Sequence, residues 1–138
     1  MRITTRGRYG LKMMADIAQN GGESAAVSIK SVAGRTRVSE KYLERLASVM
    51  LSGGFLKSIR GKGGGYMLAN PADDISVARI ISAFEGDLAP ECEEETGCSE
   101  NVSCDSCAAR DVMLRINASW AQAVGDVCLS DLVREAGA

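Results

Sequence analysis

SIKSVAGRTRVSEKYLERLASVMLSGG, residues 28–54, is the stretch that decides the fold. Ser28 is placed to cap a short helix, and Gly34–Arg37 is expected to form the turn that ends it. Ser39 is a favourable N-cap for a second helix, because the apolar residues before and after it occupy the two positions of a hydrophobic staple. Two short helices separated by a glycine-containing turn are typical of a helix-turn-helix.

A β-hairpin is predicted directly behind the second helix by FLKSIRGKGGGYMLA, residues 55–69. The first six and the last four of these residues are typical of strands, and Gly61–Gly65 forms a glycine-rich tip between them. The tip matches neither GxxxxGKS/T nor GxGxxG, so it is not a nucleotide phosphate-binding loop. Either its glycines only make the turn, or the hairpin contacts nucleic acid, which the basic Arg60 and Lys62 favour.

The rest of the chain predicts further helices. Apolar residues recur with the helical period in residues 5–20 and 76–84 and again from Ala108, and a last short helix is expected over Ser130–Ala136. The apolar stripe of the helix from Ala108 is either intrachain core or a dimer interface, and the small size of the preceding domain favours the interface. The stripe consists of Val112, Ile116, Trp120, Ala123 and Val124.

Three parts of the chain follow from these elements. Residues 1–86 are predicted to be a winged helix-turn-helix domain, residues 87–107 a cysteine-rich loop, and residues 108–138 a long dimerisation helix with a short C-terminal helix. The expected fold class is therefore mainly α with a small β-hairpin.

Charge is divided unevenly along the chain, although the net charge is only −2. Residues 1–70 hold 12 Lys or Arg against 4 Asp or Glu, whereas residues 71–138 hold 4 against 14. The asymmetry fits either two solvated faces of opposite sign or a basic half that contacts a polyanion. No stretch approaches the roughly 20 apolar residues of a membrane-spanning helix, and the basic start lacks the apolar core of a secretory signal. We therefore expect a cytoplasmic protein without a membrane partner.

Four of the five cysteines lie within sixteen residues, in the pattern C-x5-C-x5-C-x2-C, and the chain has no histidine. They are Cys92, Cys98, Cys104 and Cys107. Cytoplasmic thiols stay reduced, so such a group more often holds metal or does redox work than forms disulfides. Four thiolates suit an iron–sulfur cluster and also tetrahedral zinc, although zinc sites tend to pair their ligands as CxxC and only the last two residues do so here. Cys128 is expected to be a small buried side chain.

Taken together, the chain resembles the bacterial winged-helix regulators that include IscR, NsrR and CymR, and most of all IscR. The resemblance rests on ITTRGRYGLKMM at the start, SEKYLERL in the second helix, SIRGKGGGYMLA in the hairpin and ISVARIISAFEG before the cysteines. It implies a homodimer that binds a two-fold DNA site and, as in many members, an iron–sulfur cluster.

One cysteine departs from the pattern of that family. IscR-like proteins share the spacing of Cys92, Cys98 and Cys104 but usually supply a histidine three residues later, where this chain has Cys107. A fourth thiolate would add negative charge to a cluster, and we expect it to lower the reduction potential.

The resemblance also implies which residues meet DNA. Lys41 and Arg45 share a helical face and can donate to guanine, and Glu44 can accept from cytosine, unless Lys41 and Glu44 form only a surface ion pair. Arg60 is expected to enter the minor groove. The other predicted contacts are Ser39 and Lys62 together with the phosphate-binding Arg6, Arg8, Lys12 and Lys57.

The function expected from these residues is DNA-binding transcriptional regulation modulated by an iron–sulfur cluster, with [2Fe–2S] favoured over [4Fe–4S], in the control of cluster biogenesis or a related stress response. The alternatives are a constitutive regulator with a structural zinc or thiol-redox site and a small electron carrier. We expect neither enzymatic activity nor a small-molecule substrate, since the chain has no convincing nucleophile and base. The operator, and whether binding represses or activates, stay open.

Overall fold

Short helices and one hairpin make up the fold, and their starts follow the capping residues of the sequence. The computed structural model describes residues 3–86 and 108–136. In chain order the elements are α1 (Thr5–Gln19), α2 (Ile29–Thr36), α3 (Glu40–Ser52), β1 (Leu56–Ile59), β2 (Gly65–Leu68), a 3-10 turn (Ala72–Asp74), α4 (Val77–Glu85), α5 (Ala108–Gly125) and α6 (Leu129–Ala136). The predicted class, mainly α with a small hairpin, is confirmed.

The N-caps predicted for α2 and α3 are present. Ser28 Oγ accepts a hydrogen bond from the backbone N–H of Ser31 (3.2 Å), and Ser39 Oγ accepts one from the backbone N–H of Tyr42 (3.2 Å). Each bond satisfies an N–H group that has no partner within its own helix. The local sequence alone therefore determines where both helices begin.

The turn between α2 and α3 comes later than predicted. α2 continues through Gly34 to Thr36, and Arg37, with φ 59°, is its left-handed C-cap. Two contacts extend the helix past the glycine: Arg35 pairs with a carboxylate of α1, and the Thr36 hydroxyl donates to the carbonyl one turn earlier (2.7 Å). The prediction that the turn begins at Gly34 is wrong, because these contacts outweigh the modest helix cost of one exposed glycine, whereas Arg37 does lie in the turn.

One apolar core is shared by the N-terminal helices and α6. Leu129, the first residue of α6, is fully buried in it. Backbone hydrogen bonds from Val77 N to Val127 O (3.0 Å) and from Leu129 N to Ile75 O (2.8 Å) join α6 to the start of α4. The largest fully buried side chains are Met13, Met14, Ile17, Val32, Leu43, Leu46, Met50, Ile80 and Leu129.

The hairpin gains a third extended segment from far upstream in the chain. β1 pairs antiparallel with β2, and Val27 bridges the other side of β2 through two hydrogen bonds with Tyr66, both of 2.9 Å. Gly65 belongs to β2 and not to the tip as predicted. A Cβ on this residue would lie 2.2 Å from the carbonyl oxygen of Val27, so only glycine allows the bridge to form.

α5 differs from the other helices because none of its 18 residues is buried. Val112 and Leu114 are each 54 % exposed, and Ile116 is 47 % exposed. Within the described residues, the stripe predicted on this helix is therefore not intrachain core. Among the same residues, no helix is both long enough and apolar enough to cross a membrane.

Candidate nucleic-acid interface

Every residue predicted to bind DNA is exposed, and together these residues occupy three neighbouring elements. α3 and its cap carry four of them, the hairpin carries three, and α1 carries three. The residues are Ser39, Lys41, Glu44 and Arg45 on the first element, Lys57, Arg60 and Lys62 on the second, and Arg6, Arg8 and Lys12 on the third.

α3 separates its apolar and polar residues cleanly. Its buried side is formed by Leu43, Leu46, Ala47 and Met50, at the spacing of one helical face. Lys41, Glu44 and Arg45 occupy the exposed side, and Ser48, which sequence reasoning missed, continues it by one turn. Among the described residues, neither Lys41 nor Glu44 forms an ion pair within 4.0 Å. The surface-pair alternative is therefore not realised, and these side chains are available to a partner.

The tip of the hairpin is open on both sides of Lys62. Lys62 lies between Gly61 and Gly63, whose φ angles of 96° and 79° require glycine or strain. A Cβ at either glycine would meet no atom within 4 Å. The tip therefore protrudes from the fold, with the exposed Arg60 at its base. A basic projection of this kind fits a nucleic-acid groove.

α1 packs against α3. The rings of Tyr9 and Tyr42 make an edge-to-face contact with centroids 6.1 Å apart, and the Arg8 guanidinium lies 5.5 Å from the centroid of the Tyr9 ring. Lys12, predicted to bind phosphate, instead donates through Nζ to the carbonyl oxygen of Thr36 at the end of α2 (3.1 Å). Sequence reasoning missed the contacts of Tyr9 with Tyr42 and of Lys12 with Thr36 because they join residues 24 or more positions apart.

A bidentate ion pair fixes α2 against α1. Arg35 donates through Nε to Asp16 Oδ2 (3.0 Å) and through Nη2 to Asp16 Oδ1 (2.8 Å). The hydrogen bond to Asp16 raises the pKa of the Arg35 guanidinium, with a smaller contribution from the charge of Asp16, while burial acts in the opposite direction. Arg35 therefore has a structural partner within its own chain.

The end of α4 is attached to the start of α1. The backbone N–H of Thr4 donates to Glu85 Oε1 (3.0 Å), and the Thr4 hydroxyl donates to the same oxygen. Gly7 and Gly10 allow the two helices to approach closely, since a Cβ on Gly10 would lie 2.1 Å from the Phe84 ring. Residues 87–107, which carry the four clustered cysteines, follow one residue after this contact.

The four clustered cysteines, predicted to hold a metal or an iron–sulfur cluster, lie outside the described residues. They are Cys92, Cys98, Cys104 and Cys107. In residues 3–86 and 108–136, no group of three or more His, Cys, Asp or Glu side chains could hold a metal ion. Cys128 is half-buried where full burial was expected. Its backbone N–H donates to Asp131 Oδ2 (2.9 Å), which helps to cap α6.

Known proteins resemble this chain along almost its entire length. The sequence model of one family, described as Rrf2, iron-dependent transcriptional regulator, matches residues 3–135. Protein rrf2 of Nitratidesulfovibrio vulgaris is 39% identical over 137 residues, which cover 99% of this chain and 89% of that protein. The structure of CymR, the global cysteine regulator of Bacillus subtilis, superposes with a TM-score of 0.81 at 34% identity and 98% coverage of both chains. The structure of IscR from T. potens gives a TM-score of 0.80 at 33% identity, covering 99% of this chain and 88% of that one.

Proposed function

The chain belongs to the Rrf2 family of DNA-binding transcriptional regulators, and on that basis we propose that its cysteine segment controls operator binding by holding an iron–sulfur cluster. Regulators of this family are not enzymes, which agrees with the expected lack of catalytic activity. The observation that carries the proposal is the occurrence, in one chain, of four clustered thiols and a winged helix whose second helix exposes Lys41, Glu44 and Arg45. An electron carrier would have no use for that face.

The proposed DNA contacts follow from the exposed side of α3 and from the hairpin. Lys41 and Arg45 would donate to guanine O6 and N7, and Glu44 would accept from cytosine N4. Arg60 would enter the minor groove at the base of the tip, where a narrow groove attracts guanidinium. The exposure of all four side chains supports these roles. Chromosomal DNA as the partner also supports a cytoplasmic location.

The cofactor is proposed from the chemistry of its donors. Cys92, Cys98, Cys104 and Cys107 would hold the cluster, and four thiolates fit either [2Fe–2S] or [4Fe–4S], with [2Fe–2S] favoured. When bound, the cluster supplies a group that oxygen, nitric oxide or iron supply can modify. The relatedness to IscR proteins supports this assignment.

A thiol-based switch is the second candidate. The similar structure with the TM-score of 0.81 is that of CymR, the global cysteine regulator of B. subtilis, and this likeness favours a switch without an iron–sulfur cluster. In this candidate the four thiols would be oxidised in pairs to disulfides by a peroxide, which takes up two electrons and two protons for each bond formed, or would hold a structural zinc ion. Iron and acid-labile sulfide in the purified protein separate the two candidates.

A direct route from the cysteine segment to the recognition helix supports regulation in either case. Glu85, two residues before the segment, accepts both hydrogen bonds from Thr4, whose own Oγ1 caps α1 by accepting from the backbone N–H of Gly7 (3.3 Å). α1 in turn contacts α3 through Tyr9 and Tyr42. A change that moves the end of α4 would therefore reach α3 through one helix.

Homodimerisation is proposed from α5, whose uncovered apolar side chains fit a second copy of the same helix. An exposed apolar stripe on an 18-residue helix marks an interaction surface. A two-fold dimer would set the two recognition helices about one DNA turn apart, as half-sites in operators require.

Substitution of one clustered cysteine by alanine tests the proposed regulation, and the same substitution at Cys128 is the matched control. We expect anaerobically prepared Cys98→Ala protein to change its affinity for a duplex selected from a random pool by the wild type, whereas Cys128→Ala should bind as the wild type does. Equal binding by wild type, Cys98→Ala and Cys128→Ala to every selected duplex would refute control by the cysteine segment.

The route through α1 is tested by the conservative change Glu85→Gln. In wild-type protein, the affinity for DNA should differ between the form whose cysteines hold their ligand and the form whose cysteines are free. In Glu85→Gln this difference should shrink, and the ratio of the two affinities should approach one, because the amide oxygen accepts the hydrogen bonds from Thr4 less strongly than the carboxylate does. Glu135→Gln, on the exposed side of α6, should keep the wild-type ratio. An unchanged ratio in Glu85→Gln would exclude this route and leave control by the cysteines intact.

A further inference from the structure

Arg37 has an unusual backbone conformation. Among the residues that the structure describes, it is the only one other than glycine with a positive φ, at φ 59° and ψ 32°. A residue with a Cβ is disfavoured in this left-handed region, and glycine or asparagine is the usual choice at such a helix end. The chain thus retains an arginine where a smaller residue would form the same cap more easily.

Nothing in residues 3–86 and 108–136 accounts for the Arg37 side chain. The residue is exposed, and the described part of the chain offers its guanidinium no carboxylate, carbonyl or ring. Arg35, two residues earlier, makes a bidentate pair with Asp16 and serves as the internal comparison. Among the described residues, ion pairing therefore explains the Arg35 side chain but gives the Arg37 side chain no structural role.

The location of Arg37 in the motif indicates a partner outside the protein. It forms the turn of the helix-turn-helix, two residues before Ser39, the N-cap of α3. When the start of the second helix of this motif faces base edges, the first helix crosses the sugar-phosphate backbone. The residue joining them therefore lies beside phosphate oxygens, for which a guanidinium is the preferred side chain.

We infer that Arg37 is a DNA phosphate contact that fixes the insertion of α3 and is kept at a cost to the backbone. The contact contributes affinity for any DNA sequence and none of the sequence preference. It depends on DNA binding alone and is independent of the state of the cysteine segment.

The test compares Arg37→Gly with Arg37→Lys on a mixed-sequence duplex, by fluorescence anisotropy at KCl concentrations from about 0.05 to about 0.2 M. Loss of one phosphate contact should reduce the slope of log affinity against log salt by about 0.9 per protomer and weaken binding about eightfold per protomer near 0.1 M. Arg37→Lys should keep the wild-type slope, because the charge remains. The urea midpoint of Arg37→Gly should equal or exceed that of the wild type, since glycine relieves the backbone.

Arg35→Lys completes the comparison, since it retains charge but loses the fork on Asp16. It should lower the urea midpoint and leave the salt slope unchanged. A wild-type slope and affinity in Arg37→Gly would overturn the inference. So would a lower urea midpoint in that variant, because Arg37 would then be structural.

Discussion

Replacing Gly65 by alanine should destabilise the fold in two ways, through backbone strain and through a steric clash with Val27. The same change at Gly63 should cause backbone strain alone. Both residues have positive φ angles, 154° and 79°. An added Cβ at Gly63 would meet nothing within 4 Å, whereas at Gly65 it would lie 2.2 Å from the oxygen and 2.5 Å from the carbon of the Val27 carbonyl. Backbone atoms cannot rotate away as a side chain can, so Val27 and β2 must separate.

The expected losses differ by more than the error of a stability measurement. A Cβ at positive φ costs about 1–2 kcal/mol, and this is the whole expected loss for Gly63→Ala. Gly65→Ala also breaks the two hydrogen bonds of 2.9 Å between Val27 and Tyr66. Each bond contributes about 0.5–1.5 kcal/mol net, so the total expected loss is about 2–5 kcal/mol.

Urea unfolding followed by circular dichroism measures both losses, with all proteins at one concentration because the stability of the proposed dimer would depend on protein concentration. Hydrogen exchange at the amides of Val27 and Tyr66 should accelerate in Gly65→Ala only. Equal losses for Gly65→Ala and Gly63→Ala, with the two amides still protected, would refute the claim that the bridge to Val27 holds the hairpin.

Three further predictions test the packing of the helices. Gly34→Ala should raise the free energy of unfolding by about 1 kcal/mol, because the site is open and helical. Gly10→Ala should lower it by about 1–3 kcal/mol, because its Cβ would lie 2.1 Å from the Phe84 ring. Urea midpoints that shift in the same direction in both variants would contradict this. Asp16→Asn should lower the free energy of unfolding by about 1 kcal/mol, equally at about pH 6 and about pH 9. Folding raises the pKa of the partner Arg35, so the stabilisation by the pair is lost only as the pH rises through that pKa, far above neutrality. A destabilisation that differed between the two pH values would count against the pair. Ile116→Glu should yield monomers in sedimentation equilibrium while Gln122→Glu, on the other side of α5, stays dimeric; a dimeric Ile116→Glu would exclude this stripe as the interface.

Local chemistry made much of the fold predictable. The starts of α2 and α3 depend on Ser28 and Ser39, which act on backbone groups three residues away. The exposed face of α3 followed from periodicity alone. The turn was misplaced because Arg35 pairs with Asp16, nineteen positions earlier, and no local pattern contains that contact.

Contacts between distant residues account for what the sequence did not reveal. Val27 joins β2 at Tyr66, and Glu85 meets Thr4, 81 positions away in the chain. The glycines that allow such approaches resemble ordinary turn or helix glycines until the facing backbone or ring is known. The unusual role of Arg37 was likewise hidden, since its φ angle depends on where α2 ends.

The most direct test of the account is the content of iron, acid-labile sulfide and zinc in protein purified without oxygen, with the visible absorption spectrum recorded on the same sample. We predict a brown protein with about two iron atoms and two sulfides per chain, as expected for a [2Fe–2S] cluster on four thiolates. Colourless protein with one zinc ion per chain, or with no metal, would contradict cluster-controlled DNA binding.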